Sequence, residues 1–173
     1  MTAALLVIDV QEGMQPFIAH DGEGVVSRIG SLLDRAREAR TKIIYVQHDG
    51  SAEPGHPLAR GTPGHAVYRA IAPKEGETAV VKTHCSAFQD TDLEPRLKAA
   101  GIDHLIVCGM QTEYCVDTTV RAAFERGFKV TLVSDAHSTG DTRVLKAKDI
   151  IAHHNAILGG DFATLKSAAE VVF

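Results

Sequence analysis

The sequence has little of what several common protein classes require. Its 173 residues include three cysteines, an odd number, and none is paired at the short spacing of a zinc or redox motif. No apolar run approaches the roughly 20 residues of a membrane-spanning helix. The opening segment MTAALLVID has no basic residues ahead of its apolar stretch, unlike a signal peptide. We therefore expect a reduced, cytoplasmic chain that does not cross a membrane.

The sequence also lacks a strong charge of either sign. The formal net charge is −4, and acidic and basic residues are interleaved without a basic run. Nucleic acids and anionic membranes are therefore poor candidates for partners. The segment VQEGMQPF, which follows the first apolar run, contains neither GxGxxG nor GxxxxGK[ST]. This argues against a nucleotide-binding module.

What the sequence does contain is a series of short apolar runs rich in Val and Ile, most of them separated by segments of helical periodicity. The runs are ALLVID, KIIYVQ, TAVVK, HLIVCG and FKVTLVSD, and FATL can supply a sixth strand. This alternation predicts an α/β fold with a parallel sheet covered by helices on both faces. The 45% hydrophobic content suits one core, so we expect a single domain over residues 1–173.

Four segments have helical periodicity. The first places an apolar stripe on one face, made of Val25, Ile29, Leu32, Leu33 and Ala36. The second follows DTD, with Asp90 or Thr91 as its N-cap, and ends at Gly101. The third begins near Thr112 and ends at Gly127, and the last runs through VLKAKDIIAHHNAIL to Gly159 and Gly160. The irregular stretch HDGSAEPGHPLARGTPGHA is too long for an ordinary connection, which predicts a lid or a subunit contact.

Three reactive side chains follow strands at the edge where ligands bind in such sheets. Asp9 ends the first strand, Lys82 ends the third, and Cys115 follows the fourth. Each has a simpler explanation, namely a turn-capping carboxylate, a surface lysine and a buried thiol. With the strand order 3-2-1-4-5-6, strand 3 lies about 10 Å from strand 1, and a lysine side chain can cross most of that gap. Together the three could activate a thiol.

Cys115 is the best candidate for a nucleophile among the three cysteines. It lies three residues after Thr112, a possible N-cap, where a helix dipole would favour a thiolate. Cys108 lies inside the strand HLIVC, and Cys85 has no comparable helix start. We interpret both of these as small buried hydrophobic residues.

Four segments together give the chain a resemblance to the isochorismatase-like cysteine hydrolases over nearly its whole length. They are LLVIDVQEGM, VVKTHCSAF, GMQTEYCV and SDAHST. The resemblance implies a three-layer α/β/α fold with a six-stranded parallel sheet. It also implies cleavage of a small amide, carbamoyl or related C–N bond through a thioester, and a homo-oligomer that needs no cofactor. True isochorismatases, which cleave a vinyl ether, lack the cysteine at this position, so Cys115 favours acyl transfer.

The resemblance also implies residue roles. Cys115 would be the nucleophile and Asp9 its base, while Lys82 would keep Asp9 ionised and positioned. The backbone N–H groups of Gln111 and Cys115 would form an oxyanion hole after a cis peptide bond between Met110 and Gln111. A compact, partly aromatic pocket would be formed by a further set of side chains, namely Gln11, Phe17, Phe88, Gln111 and Tyr114.

Metal-assisted nicotinamidases in this family hold their metal with an Asp-x-His pair and further histidines after the second strand. This chain instead reads QHDGSAEPGH, in which His48, Asp49 and His56, and the later His65, have the wrong order for that site. We therefore expect no metal. Two alternatives remain open: a metal-assisted nicotinamidase-type amidase, and a catalytically silent oligomeric binding protein of the same fold.

Overall fold

A computed structural model of the chain describes residues 2–17 and 20–173, apart from the side chains of residues 15–17. The strands are β1 (Ala3–Ile8), β2 (Lys42–His48), β3 (Thr78–Lys82), β4 (His104–Met110), β5 (Lys129–Ser138) and β6 (Thr164–Lys166). The main helices are α1 (Gly22–Glu38), α2 (Leu93–Ala99), α3 (Asp117–Glu125) and α4 (Ala147–Asp161). The strands form one parallel sheet in the order β3-β2-β1-β4-β5-β6, which confirms the predicted fold.

The sheet is buried on both faces because successive strand residues point into two different apolar cores. On β1, Leu5 and Val7 pack with α1, whereas Leu6 and Ile8 pack with residues of α2, α3 and α4. The buried residues of α1 are the five of the predicted stripe. This gives the three layers, with one helix on one face and three on the other. No helix in the described part of the chain could span a membrane.

The start of α2 differs from its prediction. Asp90 has a φ of 53°, in the left-handed region, and belongs to the preceding turn. The residue before the helix is Asp92, and the Thr91 hydroxyl instead accepts a hydrogen bond of 3.3 Å from the N–H of Leu93. The predicted caps are therefore two and one residues too early.

The end of α4 also differs, because the helix continues through Gly159 and Gly160 to Asp161. A Cβ at Gly159 would lie 2.7 Å from the side chain of Leu165 in β6. Glycine at this position therefore lets α4 and β6 pack closely, and it does not act as a stop signal.

Candidate active site

The site is built at the ends of β1 and β4, where the two backbones lie close together. Gly109 pairs with Ile8 in the sheet and has a φ of 122°. A Cβ at Gly109 would lie 2.1 Å from the carbonyl oxygen of Ile8, so only glycine fits. The register between β4 and β5 shifts between Val107 and Gly109. The peptide bond from Met110 to Gln111 is cis, and the chain then enters a π-helical turn, Thr112–Val116, ahead of α3.

This turn is fixed from behind by a buried hydrogen-bond chain. Thr112 Oγ1 lies 2.9 Å from His137 Nδ1, and His137 Nε2 lies 3.0 Å from Asn155 Oδ1. The other amide atom, Asn155 Nδ2, donates to the carbonyl of Ser134 at 3.0 Å, so Oδ1 must accept. His137 therefore carries its proton on Nε2 and accepts from the Thr112 hydroxyl through Nδ1. Burial lowers the pKa of His137, which keeps the ring neutral.

Thr112 is consequently not the helix N-cap that its position suggests. The residue in that position is Gln111, and the Thr112 side chain is buried against His137 instead. Cys115 is the fourth residue of the π-helical turn and lies two residues before the start of α3. The expected location of its sulfur in the first turn of an α-helix is therefore wrong.

The side chains of Asp9, Lys82 and Cys115 meet at the carboxyl edge of the sheet, and we call these three residues the triad. Lys82 Nζ lies 2.6 Å from Asp9 Oδ2 and 3.2 Å from Cys115 Sγ, and the lysine side chain has no exposed surface. The lysine reaches across the end of β2 from β3, where its register partner is His48. Its ammonium group is thus shared by a carboxylate and a thiol inside the protein.

The charges of these groups oppose the effects of burial to different extents. Burial alone would lower the pKa of Lys82, but the charges of Asp9 and Cys115 outweigh it, so the pKa is raised and the ammonium persists. Burial raises the pKa of Cys115 well above its usual range; Asp9 raises it further, and Lys82 only partly offsets this. At neutral pH the triad therefore contains a thiol, in contrast to the thiolate that a helix dipole would favour.

One feature distinguishes Asp9 from a turn-capping residue. Its backbone lies in the left-handed region, with a φ of 50°, which Asp also adopts in ordinary turns. Its second carboxylate oxygen, Oδ1, however, is buried and accepts no hydrogen bond from the described residues. An unpaired buried carboxylate oxygen is costly, and such desolvation is common at functional sites.

The triad opens onto a cleft of about 730 Å³. Its walls come from the ends of β1, β2 and β4, the segment after β3, and the long irregular loop between β2 and β3. The lining residues are Asp9, Met14, His48, Glu53, His56, Leu58, Thr83, His84, Cys85, Gln111, Tyr114 and Cys115. The loop predicted to be a lid or a subunit contact therefore forms one wall of the cleft.

Two of the predicted pocket residues do not line this cleft. Phe88 is buried in the core, with its ring stacked on Phe128 at 5.9 Å and covered by Arg126 at 4.9 Å. Gln11 is fully buried, because its amide donates to the carbonyls of His48 and His65 and accepts from the N–H of His48. It ties both ends of the loop to β1.

The remaining pocket predictions have different outcomes. Gln111 and Tyr114 line the cleft, and the side chain of Tyr114 is half exposed. The side chain of Phe17 lies outside the described part of the chain. Cys108 is buried as expected, but Cys85 is exposed and faces the cleft, so its interpretation as a packing residue is wrong. It follows β3 in a short segment that opens toward solvent.

Two of the residues considered as metal ligands, Asp49 and His56, have other partners. Asp49 binds Ser51 and Arg60, and His56 Nδ1 accepts a hydrogen bond of 3.1 Å from the N–H of Leu58. In residues 2–17 and 20–173, no group of three His, Cys, Asp or Glu side chains is placed to hold a metal ion.

Sequence reasoning missed most of the residues that line the cleft as candidates for substrate contact, among them His48, Glu53 and His56. His48 Nδ1 also lies 3.4 Å from Lys82 Nζ, which places its ring against the triad. The Gly-, Pro- and His-rich composition of the loop was the available signal. It indicated that the loop was unusual without indicating which side chains turn inward.

Comparison with known proteins assigns the chain to a family. A family model described as an isochorismatase domain matches residues 3–155. An uncharacterized isochorismatase family protein, YddQ of Bacillus subtilis, is 32% identical over 96% of this chain and 97% of its own length. A streptothricin hydrolase of Streptomyces noursei is 41% identical over 80% of this chain, but the match covers only 50% of that protein.

Solved structures extend the similarity to three dimensions. An isochorismatase structure from Pseudomonas putida superposes with a TM-score of 0.91 at 30% identity, covering 98% of this chain and 90% of the other. A cysteine hydrolase from Pseudomonas syringae superposes with a TM-score of 0.86 at 29% identity, covering 97% of this chain and 89% of the other.

Proposed function

Since the chain belongs to the isochorismatase family of hydrolases, we propose that it is a cysteine-dependent hydrolase of a small amide, carbamoyl or related C–N bond. The observation that carries the proposal is the buried ammonium of Lys82, shared between Asp9 Oδ2 at 2.6 Å and Cys115 Sγ at 3.2 Å. A thiol that merely fills space has no need of a buried ion pair beside it. The similarity to a cysteine hydrolase supports the same chemistry.

The first step is proton transfer from a neutral thiol. Cys115 has a raised pKa, so it needs a base, and Asp9 has a buried carboxylate oxygen, Oδ1, that accepts no hydrogen bond from the described residues. Asp9 takes the proton and the thiolate attacks the substrate carbonyl. The charge that develops on the carbonyl oxygen is met by the backbone N–H groups of Gln111 and Cys115, each typically worth a few kcal/mol.

In the second half of the reaction, Asp9 acts first as an acid and then again as a base. The protonated Asp9 gives its proton to the leaving amine as the C–N bond breaks and a thioester forms on Cys115. Asp9 then takes a proton from an attacking water, and hydrolysis of the thioester releases the acid and restores the thiol. Lys82 stays charged throughout and stabilises whichever neighbour is anionic.

The test is a screen of small amides, ureas and carbamates for release of ammonia or amine, with Cys115→Ala as the paired variant. We expect turnover by the native chain and none by Cys115→Ala, with unchanged circular dichroism and melting behaviour. A folded Cys115→Ala variant that keeps most of the activity would exclude a thioester on this residue. Trapping the intermediate with hydroxylamine provides an independent measurement, because a thioester yields a hydroxamate.

A further inference from the structure

The charges at the cleft are unbalanced. Two carboxylates, Asp9 and Glu53, line it, and no lysine or arginine does so in the described part of the chain. Asp9 is already paired with Lys82, which lies behind it at 2.6 Å. The Glu53 side chain makes no hydrogen bond or ion pair with any described residue, although its backbone is held in a turn through Gly50 and His56. It is therefore free to meet a ligand.

Two histidines beside Glu53 in the cleft do not offset its charge. Lys82 Nζ lies 3.4 Å from His48 Nδ1, and an ammonium can only donate, so that nitrogen carries no proton. Burial, together with the charge of Lys82, lowers the pKa of His48. His56 Nδ1 accepts from the Leu58 N–H and is likewise unprotonated. Both rings are neutral in this arrangement.

The other basic side chains near the cleft already have acidic partners. His84 Nε2 lies 3.1 Å from Asp90 Oδ2. Arg60, the arginine of the irregular loop, lies 3.2 Å from Asp49. Beyond the triad, Glu53 is the one carboxylate among the lining residues in the described part of the chain.

We propose that the cleft selects amides whose remaining part carries a positive charge, and that Glu53 is the residue that favours them over amides carrying a carboxylate. This inference rests on the proposed function only in taking the Cys115 sulfur as the reacting atom. The half-exposed ring of Tyr114 lines the same cleft and offers an aromatic face, which also attracts cations and not anions.

The test uses the reactivity of Cys115 toward thiol reagents that differ in charge. The reagents are trimethylammonioethyl, methyl and sulfonatoethyl methanethiosulfonate, which are cationic, neutral and anionic. Modification of Cys115 is followed by peptide mass spectrometry, which separates it from the exposed Cys85. Each rate is divided by the rate with free 2-mercaptoethanol to remove intrinsic reactivity.

We expect the normalised rate to fall from the cationic to the anionic reagent. Glu53→Gln should reduce the cation-to-anion ratio by about two- to fivefold, the range for an exposed ion pair, and added salt should do the same. Glu75→Gln, an exposed glutamate that does not line the cleft, is the matched control and should leave the ratio unchanged. A ratio at or below one, or a ratio unaffected by Glu53→Gln, would overturn the inference.

Turnover gives a second, separable measurement. Amides of ω-amino acids of several chain lengths should be cleaved faster than the matched monoamides of dicarboxylic acids, and Glu53→Gln should narrow the difference. Absence of cleavage for both series would contradict the proposed hydrolase activity. The reagent ratios, which need no catalysis, would still decide the charge preference.

Discussion

Replacing Lys82 with methionine is the most direct perturbation of the triad. Methionine has a similar length and no charge, so packing is largely kept while the ammonium is lost. The ammonium lies 3.2 Å from Cys115 Sγ, in a side chain with no exposed surface. At an effective dielectric constant of about 20, a cation and a thiolate at that separation attract by about 5 kcal/mol.

The direction in which Lys82→Met changes the pKa of Cys115 follows from the groups that set this pKa in the native chain. Lys82 lowers the pKa of Cys115, against the larger raising effects of burial and Asp9, so its removal raises that pKa further. Even if water entering the altered site halves the lost attraction, the thiolate population near pH 7 falls by about seventyfold. Turnover should fall by at least the same factor.

The assay is the rate of iodoacetamide alkylation of Cys115 as a function of pH. We expect the Lys82→Met profile to shift to higher pH, with a matching loss of turnover. Lys148→Met, at an exposed position on α4, is the control and should behave as the native chain does. An unshifted profile with near-normal turnover would mean that the ion pair is structural and that Lys82 has no part in activating the thiol.

Three further predictions follow from the site. Cys108→Ala should keep turnover but lose about 1–2 kcal/mol of unfolding free energy in urea titrations, because Cys108 is fully buried. Cys85→Ala should keep both its turnover and its stability, because Cys85 is exposed. Inactivity of either folded variant would contradict Cys115 as the nucleophile. Chelation with EDTA should leave hydrolysis unchanged, and activity lost to EDTA and restored by zinc would point to metal assistance. Burial lowers the pKa of His137, so as the pH falls the unfolded chain takes up a proton on this residue before the folded chain does. The free energy of unfolding should therefore decrease as the pH drops below about 6.5, by up to about 1.4 kcal/mol per pH unit. This dependence of stability on pH should be weaker in His137→Gln and unchanged in the control His153→Gln. An equally strong dependence in His137→Gln and the native chain would show that His137 is not its cause.

The parts of the structure that could be predicted are those that depend on local pattern. Alternating apolar strands and amphipathic helices predicted the sheet, because each strand must be buried on both faces. The rule that ligands bind at the carboxyl ends of parallel strands selected Asp9, Lys82 and Cys115 for attention. Strand order then placed β3 within reach of β1. In the structure the Lys82 side chain makes that crossing.

The parts that could not be predicted depend on side-chain direction and loop path. Phe88 turns into the core to stack on Phe128, and nothing in its neighbouring sequence separates this from a position in the cleft. The amide of Gln11 is hydrogen-bonded to backbone groups that lie more than 35 residues away along the chain. Glu53 reaches the cleft only because the loop folds back over the sheet edge. Such contacts are set by tertiary packing, which local propensity does not encode.

The raised pKa of Cys115 is consistent with a nucleophile because of how charge is conserved within the triad. Before proton transfer, the site contains an anionic Asp9, a cationic Lys82 and a neutral thiol; afterwards it contains a neutral Asp9, the same cation and a thiolate. Both states hold one anion and one cation, so burial, which penalises an isolated charge heavily, affects the two states similarly. An exposed thiolate at a helix N-terminus would instead be reactive at all times and open to oxidation. In the proposed mechanism the thiol is protonated at rest, and its activation depends on a carboxylate and an ammonium, either of which a single substitution can remove.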